Sequence, residues 1–206
     1  MKKEWNGEEK TAFERALKAQ GKRYIAGVDE VGRGPLAGPV VCAAVIMPTE
    51  IEKLVVGVDD SKKLSAKKRE ELAEKIKASA LCYSIVEIDQ ETIDEINILE
   101  ATKLGMKRAV ESLAIPPDAV LTDGNMTIDI SFPQESVVHG DALCYSIGAA
   151  SIIAKVHRDA MMDEYAKIYP HYAFEKNKGY GTAAHIAGIK EYGLCPIHRK
   201  TFTKNF

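Results

Sequence analysis

Apolar positions come in blocks along the chain, and the spacing within the blocks changes. Over residues 8–20, Ala12, Phe13, Ala16, Leu17 and Ala19 recur at near-helical spacing until Gly21, which predicts a short leading helix. Residues 24–29 and 39–47 are apolar runs separated by a glycine-rich turn, the pattern of two strands joined as a hairpin. Ser65 offers an N-cap for a helix over 66–79, and the β-rich stretch 81–88 predicts a third strand. A long helix over 90–113 follows, with Ile96, Leu99, Leu104 and Ala109 among its apolar positions, ended by Pro116-Pro117. Residues 119–122 read as a short buried strand opening onto Asp123-Gly124-Asn125, and 127–132 and 134–138 as small strands or extended pieces. The longest helical candidate is 141–169, whose middle is small and apolar almost all round, as in a closely packed core helix. A loop over 174–182, a helix over 183–192 and a tail over 195–206 complete the chain. A leading hairpin followed by mixed strands and helices predicts an α/β layer fold.

Composition narrows this picture only modestly. At 206 residues with 46% apolar content, the chain can fill one large core, or one core with a small appendage. Its net charge of −2 does not announce a nucleic-acid binder, and no apolar run approaches the roughly 18 residues that span a bilayer. The polar start, Met1-Lys-Lys-Glu, lacks the apolar centre of a signal peptide. Cys42, Cys82, Cys144 and Cys195 lie far apart, without a C-x-x-C pair, so zinc and a disulfide framework are both disfavoured. A reduced, cytoplasmic protein is expected.

Candidate chemistry lies in four acids at the ends of predicted elements: Asp29, Glu30, Asp123 and Asp141. Each has a plain alternative. Asp123-Gly124 is a turn dipeptide, and Asp141 before an apolar helix could be an N-cap. Adjacent residues on a regular strand point to opposite faces, so Asp29 and Glu30 can share one site only if the strand ends or bulges at Glu30. Together the acids suit a two-metal phosphoryl-transfer site, whose ions need mostly carboxylate oxygen around them. The lack of a well-placed histidine favours Mg²⁺ or Mn²⁺ over Zn²⁺. Asp159 is excluded as a fifth member. It lies 159 − 141 = 18 residues beyond Asp141, roughly 27 Å along a continuous helix. A pairing with Lys155 or Arg158 suits it better.

The residues then match a family. The block from Gly27 to Val40, containing Asp29-Glu30-Val-Gly32-Arg33-Gly34-Pro, resembles the signature of prokaryotic ribonuclease HII, the type 2 RNase H. Further blocks agree in order: Asp60-Ser-Lys62-Lys-Leu-Ser, Leu121-Thr-Asp123-Gly, Gly140-Asp141-Ala running on to Lys155-Val-His-Arg-Asp159, Lys178-Gly-Tyr180-Gly-Thr, and Pro196-Ile-His-Arg. This resemblance implies an RNase H-like fold, a central mixed β-sheet flanked by helices with a helical C-terminal appendage. Residues 1–170 would form the catalytic domain, led by the helix within 1–21, and 171–206 the appendage. It implies that Asp29, Glu30, Asp123 and Asp141 hold two divalent ions. The expected reaction is hydrolysis of RNA in RNA/DNA hybrids, or 5′ to a single ribonucleotide in duplex DNA, leaving 3′-hydroxyl and 5′-phosphate ends.

The same resemblance gives Gly32-Arg33-Gly34 the task of meeting the 2′-hydroxyl and flanking phosphates through main-chain groups, Tyr180 that of stacking on a sugar, and Lys62 that of touching phosphate. Glycines let a backbone approach a ligand with no Cβ in the way. From Lys155 onward there are nine Lys or Arg and five Asp or Glu, a surplus of 9 − 5 = +4 that suits a basic appendage on a duplex. A cytoplasmic monomer is expected. Cys144 and Tyr145 stand where small or polar residues are expected, and would crowd the start of their helix. Three other readings compete. A type 1 RNase H or a junction resolvase lacks the Gly-Arg-Gly turn and tyrosine loop. A nucleotide-binding loop needs a G-x-G-x-x-G spacing that Gly32, Gly34 and Gly38 do not have, and a following helix that Pro35 and Pro39 interrupt. A non-catalytic nucleic-acid binder would have no cleavage to lose.

Overall fold

The computed structural model describes residues 5–205. Residues 1–4 of the expected leading segment and residue 206 lie outside the described residues. The chain begins with helices α1 (Gly7–Lys10) and α2 (Ala12–Ala19), then strands β1 (Ile25–Val31) and β2 (Val40–Ile46). Helix α3 (Ala66–Ser79), strand β3 (Cys82–Ile88) and helix α4 (Gln90–Glu111) follow. Strands β4 (Ala119–Asp123) and β5 (Gln134–Val137) precede helices α5 (Gly140–Leu143), α6 (Tyr145–Ile168), α7 (Phe174–Asn177) and α8 (Ala183–Tyr192).

The strands form one sheet in the order β3-β2-β1-β4-β5. β1–β2 and β2–β3 are antiparallel, while β1–β4 and β4–β5 are parallel. Helices cover both faces, so β2 is buried at every position and reads as a continuous apolar run rather than an alternating one. On one face Val41, Ala43 and Val45 pack with Leu72, Ile76, Ala149 and Ile153 of α3 and α6. On the other, Ala26, Val28, Cys42 and Ala44 pack with Met106, Ala109 and Val110 of α4. A separate cluster of Ala37, Met162, Tyr172, Phe174, Ile189 and Ile197 joins the C-terminal segment to the far end of α6. Among the described residues no helix is long and apolar enough to cross a membrane.

Several expectations need correction: the loop expected over 174–182 opens with the short helix α7, and each of the others has a local cause. The leading helix is two pieces meeting at Thr11, whose hydroxyl donates to Gly7 O. The helix over 90–113 is interrupted at Asn97 (φ 68°), whose side chain accepts from Leu99 and Glu100 N and so caps the second half. Residues 127–132 form no strand, because the Gln134 side chain occupies both the N–H and the C=O of Ile128. The helix over 141–169 is broken at Cys144, which is extended. Cys144 and Tyr145 do not crowd this junction: both are buried, and the Tyr145 hydroxyl accepts from Val55 N.

α6 has no side-chain cap of its own. Glu14 of α2, fully buried, supplies one: its Oε1 accepts from Ser146 N (2.8 Å), Ser146 Oγ (2.7 Å) and Cys144 Sγ (3.0 Å). A carboxylate there also meets the positive end of a 24-residue helix. Glu14→Ala leaves the Ser146 donors buried and unpaired, so it is expected to cost about 2 kcal/mol, seen as a lower urea midpoint. Glu14→Gln, which keeps an acceptor, should lose less. Equal midpoints for Glu14→Ala and the parent chain would show that α6 does not depend on this cap.

Candidate active site

The four acids named from the sequence gather at one end of the sheet. β1 and β4 run parallel, which brings Asp29 and Asp123 to the same edge, and the Asp141 N–H donates to Asp123 Oδ1 at 3.3 Å. Gly140 permits this closeness, since a Cβ there would sit 2.5 Å from Ile147 Cδ1 and 3.2 Å from Asp123 Oδ1. The strand break expected at Glu30 is absent: β1 stays paired with β2 through Val31, with Glu30 opposite Cys42. The chain turns only at Gly32 (φ +93°). What opens the site is the end of the neighbouring strand, because β4 stops at Asp123 and leaves Glu30 with no strand on that side.

Burial pushes the Asp29 carboxyl well up from its ordinary value, reinforced by the charges of Glu30 and Asp123; a bond from Ser151 offsets part of this. Burial likewise raises Glu30, opposed by Arg33 and reinforced by Asp123. Glu30 Oε2 is buried without a hydrogen-bond partner among the described residues. Acids that repel one another, one carrying an unpaired buried oxygen, make an all-oxygen donor set suited to a hard divalent cation. They do not themselves close a shell, for among the described residues no three Asp, Glu, His or Cys side chains converge as a metal site. Asp141 instead reaches Lys62, whose Nζ lies 3.3 Å from its Oδ2. Burial would lower the Lys62 pKa, but the charge and hydrogen bond of Asp141 outweigh it and raise it.

Gly32-Arg33-Gly34 follows directly on β1, and Tyr180 stands over it. A Cβ on Gly34 would lie 3.5 Å from the Tyr180 ring, and Leu36 N donates to Gly179 O at 2.8 Å. Tyr180 is 46% exposed, which leaves its ring open to a ligand. Arg33 NH1 lies 3.4 Å from Glu30 Oε1. Asp159 pairs with Lys155 at 2.6 Å, as expected, and with Arg69 at 3.7 Å, well away from the acids.

Sequence reasoning missed the supports behind this surface. Ser151, which touches Asp29, also bonds Ser61 at 2.9 Å, tying α6 to the Lys62 segment. Arg158, expected as a partner of Asp159, is wholly buried and bonded to backbone carbonyls, as is Arg199. The only sequence signal for these two was their place inside the matching blocks. A buried imidazole pair holds the tyrosine loop from below. His198 Nδ1 lies 2.9 Å from Cys195 N and 3.2 Å from Cys195 O, and its Nε2 faces His185 Nε2 at 3.0 Å. His185 Nδ1 donates to Tyr180 O (2.9 Å), since a carbonyl oxygen can only accept.

Burial disfavours a further proton on either ring. Burial, then the neighbouring His185, pushes His198 down to about 4, and burial lowers His185 as well. Tyr172 and Phe174 face the pair edge-on or tilted, and Cys195 is its other titratable neighbour. Between pH 6.5 and 4 this pair binds fewer protons in the native chain than in the unfolded one, so its contribution to stability is full above pH 6.5 and falls as pH drops, while the raised Asp29 and Glu30 carboxyls act in the opposite sense. The loss expected from His198 is about 3 kcal/mol, read as a fall in urea midpoint from pH 7.5 to pH 4.5 that is smaller in His198→Asn. The same fall in His198→Asn as in the parent chain would mean that the pair accepts protons without cost.

A mixed sheet flanked by helices, with acids at adjoining strand ends and a glycine turn beside them, is the arrangement of the RNase H-like fold. The ribonuclease HII family model matches residues 26–205, so the chain belongs to the ribonuclease HII family and is a metal-dependent nuclease. It is 54% identical to ribonuclease HII of Enterococcus faecalis over 97% of this chain and 78% of that one. It is also 54% identical to ribonuclease HII of Caldicellulosiruptor saccharolyticus, over 94% of this chain and 93% of that one. Among solved structures it resembles ribonuclease H2 of Pyrococcus horikoshii, with a TM-score of 0.72 and 27% identity, covering 88% of this chain and 94% of that one.

Proposed function

We propose that this chain hydrolyses the RNA strand of RNA/DNA hybrids and cuts on the 5′ side of a single ribonucleotide in duplex DNA, leaving 3′-hydroxyl and 5′-phosphate ends. The observation that carries this reading is the continuity of β1 with its turn. Asp29 and Glu30 are followed within four residues by Gly34, which lies against Tyr180. Chemistry and ribose recognition would thus share one short segment. Asp29, Glu30, Asp123 and Asp141 would hold two divalent ions, Mg²⁺ or Mn²⁺, which when bound supply Lewis acidity for water activation and for the leaving 3′ oxygen. Lys62, with its ammonium exposed beside Asp141, would take a backbone phosphate. The Gly32-Arg33-Gly34 main chain would meet the 2′-hydroxyl, the group that distinguishes RNA from DNA at one position. Tyr180 would stack on the neighbouring sugar.

Water attacks phosphorus, the P–O3′ bond breaks, and the departing oxygen takes a proton. Residues 1–170 would carry this chemistry as a cytoplasmic monomer in ribonucleotide excision and primer removal, with 171–206 gripping the duplex. The test is cleavage of three duplexes, one with a single ribonucleotide, one an RNA/DNA hybrid and one all-DNA, with Mg²⁺ or Mn²⁺ supplied in turn. Cutting of the first two only is expected. Failure to cut the single-ribonucleotide duplex with either metal would remove the reading.

A further inference from the structure

Two large cations lie buried behind the glycine turn, and all their hydrogen bonds among the described residues end on backbone carbonyls. Arg158 and Arg199 are each 0% exposed. Arg158 donates to Pro39 O (3.0 Å), Ala37 O (3.1 Å) and Lys178 O (2.9 Å). Arg199 donates to Gly38 O (2.9 Å from Nε), Arg33 O (2.9 Å) and Gly32 O (2.5 Å). Burying a guanidinium without a carboxylate is expensive, and well-packed apolar groups would hold a loop more cheaply. The arrangement therefore asks for a reason beyond packing.

Peptide planarity supplies one. In a trans peptide the C=O of one residue and the N–H of the next point in opposite directions. Because the carbonyls of Gly32 and Arg33 point inward to Arg199, the N–H groups of Arg33 and Gly34 must point away from it. Neither N–H has a hydrogen-bond partner among the described residues. Gly32 lies flat on the other arginine, since a Cβ there would sit 2.1 Å from Arg158 Nε. That same guanidinium grips Lys178 O, two residues before Tyr180. One cation aims the donors, and the other fixes the tyrosine loop against them.

We propose that Arg158 and Arg199 are positioning residues for ribonucleotide recognition. They hold the Arg33 and Gly34 amides outward, in register with Tyr180, as a preset donor pair for oxygen of the ribonucleotide and its phosphate. This inference rests on the function proposed above. Their positive charge strengthens the same effect, because it stabilises each peptide dipole with its N–H end toward the ligand.

Arg199→Lys tests it: a single ammonium keeps the charge but cannot bridge the carbonyls of Gly32, Arg33 and Gly38 at once. In an Asp123→Asn background, binding is measured to a duplex with one ribonucleotide and to the same duplex in all-DNA form. Arg199→Lys is expected to weaken the first about tenfold and the second less than about twofold, the loss that follows from misaligned donors. Equal weakening of both, or no weakening, overturns the proposal. If circular dichroism shows the variant unfolded, amide exchange in the parent chain decides. Arg33 and Gly34 are expected to be protected by the ribonucleotide duplex but not by the all-DNA duplex, and absence of that difference overturns the proposal. Cleavage by the parent chain, run in parallel, separates the two failures. No cleavage removes the proposed function itself, while normal cleavage with unchanged discrimination removes only the role of the arginines.

Discussion

Replacing Asp123 with Asn is expected to lower metal-dependent cleavage by at least about a thousandfold while leaving the chain folded and able to bind its duplex. Folding should survive because Asp123 Oδ1 serves as an acceptor for Asp141 N, and an amide oxygen can take the same bond. The electrostatics should change sharply. The Asp123 charge is among the causes that raise both Asp29 and Glu30, so its removal lets those acids ionise more readily. Yet the site loses one anionic donor, and a hard divalent cation depends on charge more than on donor count. Duplex binding should hold or tighten, since a negative charge beside phosphate has gone. Steady-state cleavage with Mg²⁺ and with Mn²⁺, together with a binding titration, checks both halves. Cleavage within about threefold of the parent rate would take Asp123 out of the metal-binding set. A supporting readout is thermal: the gain in melting temperature on adding Mn²⁺ should be smaller in Asp123→Asn, because the cation binds the native state less tightly.

Gly27→Ala is expected to cost about 3 kcal/mol of stability, a large effect for one methyl group. The added Cβ would lie 2.1 Å from the Ser146 carbonyl carbon and 2.3 Å from Ile147 N. Both are backbone atoms at the start of α6, so no rotamer change relieves the clash; the helix or the strand must move. Asp29 lies two residues further along the same strand, on the same face, and Asp141 sits just before the helix. Activity measured at low temperature should therefore fall as well. Urea unfolding gives the stability term as a lower midpoint. A midpoint equal to that of the parent chain would show that β1 and α6 can separate without cost.

These two sites also show what could be read in advance. The acids were legible because carboxylates at the ends of apolar runs carry their own warning, and the parallel pairing of β1 with β4 did bring Asp29 and Asp123 to one edge. The geometry at Glu30 was not legible. Opposite faces on a strand called for a break, whereas the opening comes from where a different strand stops, and that depends on pairing the one-dimensional pattern does not contain. Asn97 and Cys144 interrupt helices whose apolar spacing continues across them; in both cases side chains supply the caps, and one of these belongs to a residue 130 positions away. Arg158 looked like half of an ion pair because arginine usually is. Its carbonyl partners lie 20 to 121 positions away in sequence, where no local pattern reaches.

The loan of Glu14 to α6 bears on where this molecule begins. The family match starts at residue 26, after α2 has ended. Yet Glu14 finishes the central helix, and Lys10 ties Asp59 to the Ala142 carbonyl, next door to Asp141. A chain cut back to the matched region would keep every acid and the whole glycine turn, while its longest helix began without the Glu14 cap and the short helix carrying Asp141 lost its tie to Lys10. The contacts that finish the central helix and brace the Asp141 turn thus come partly from residues outside the matched span.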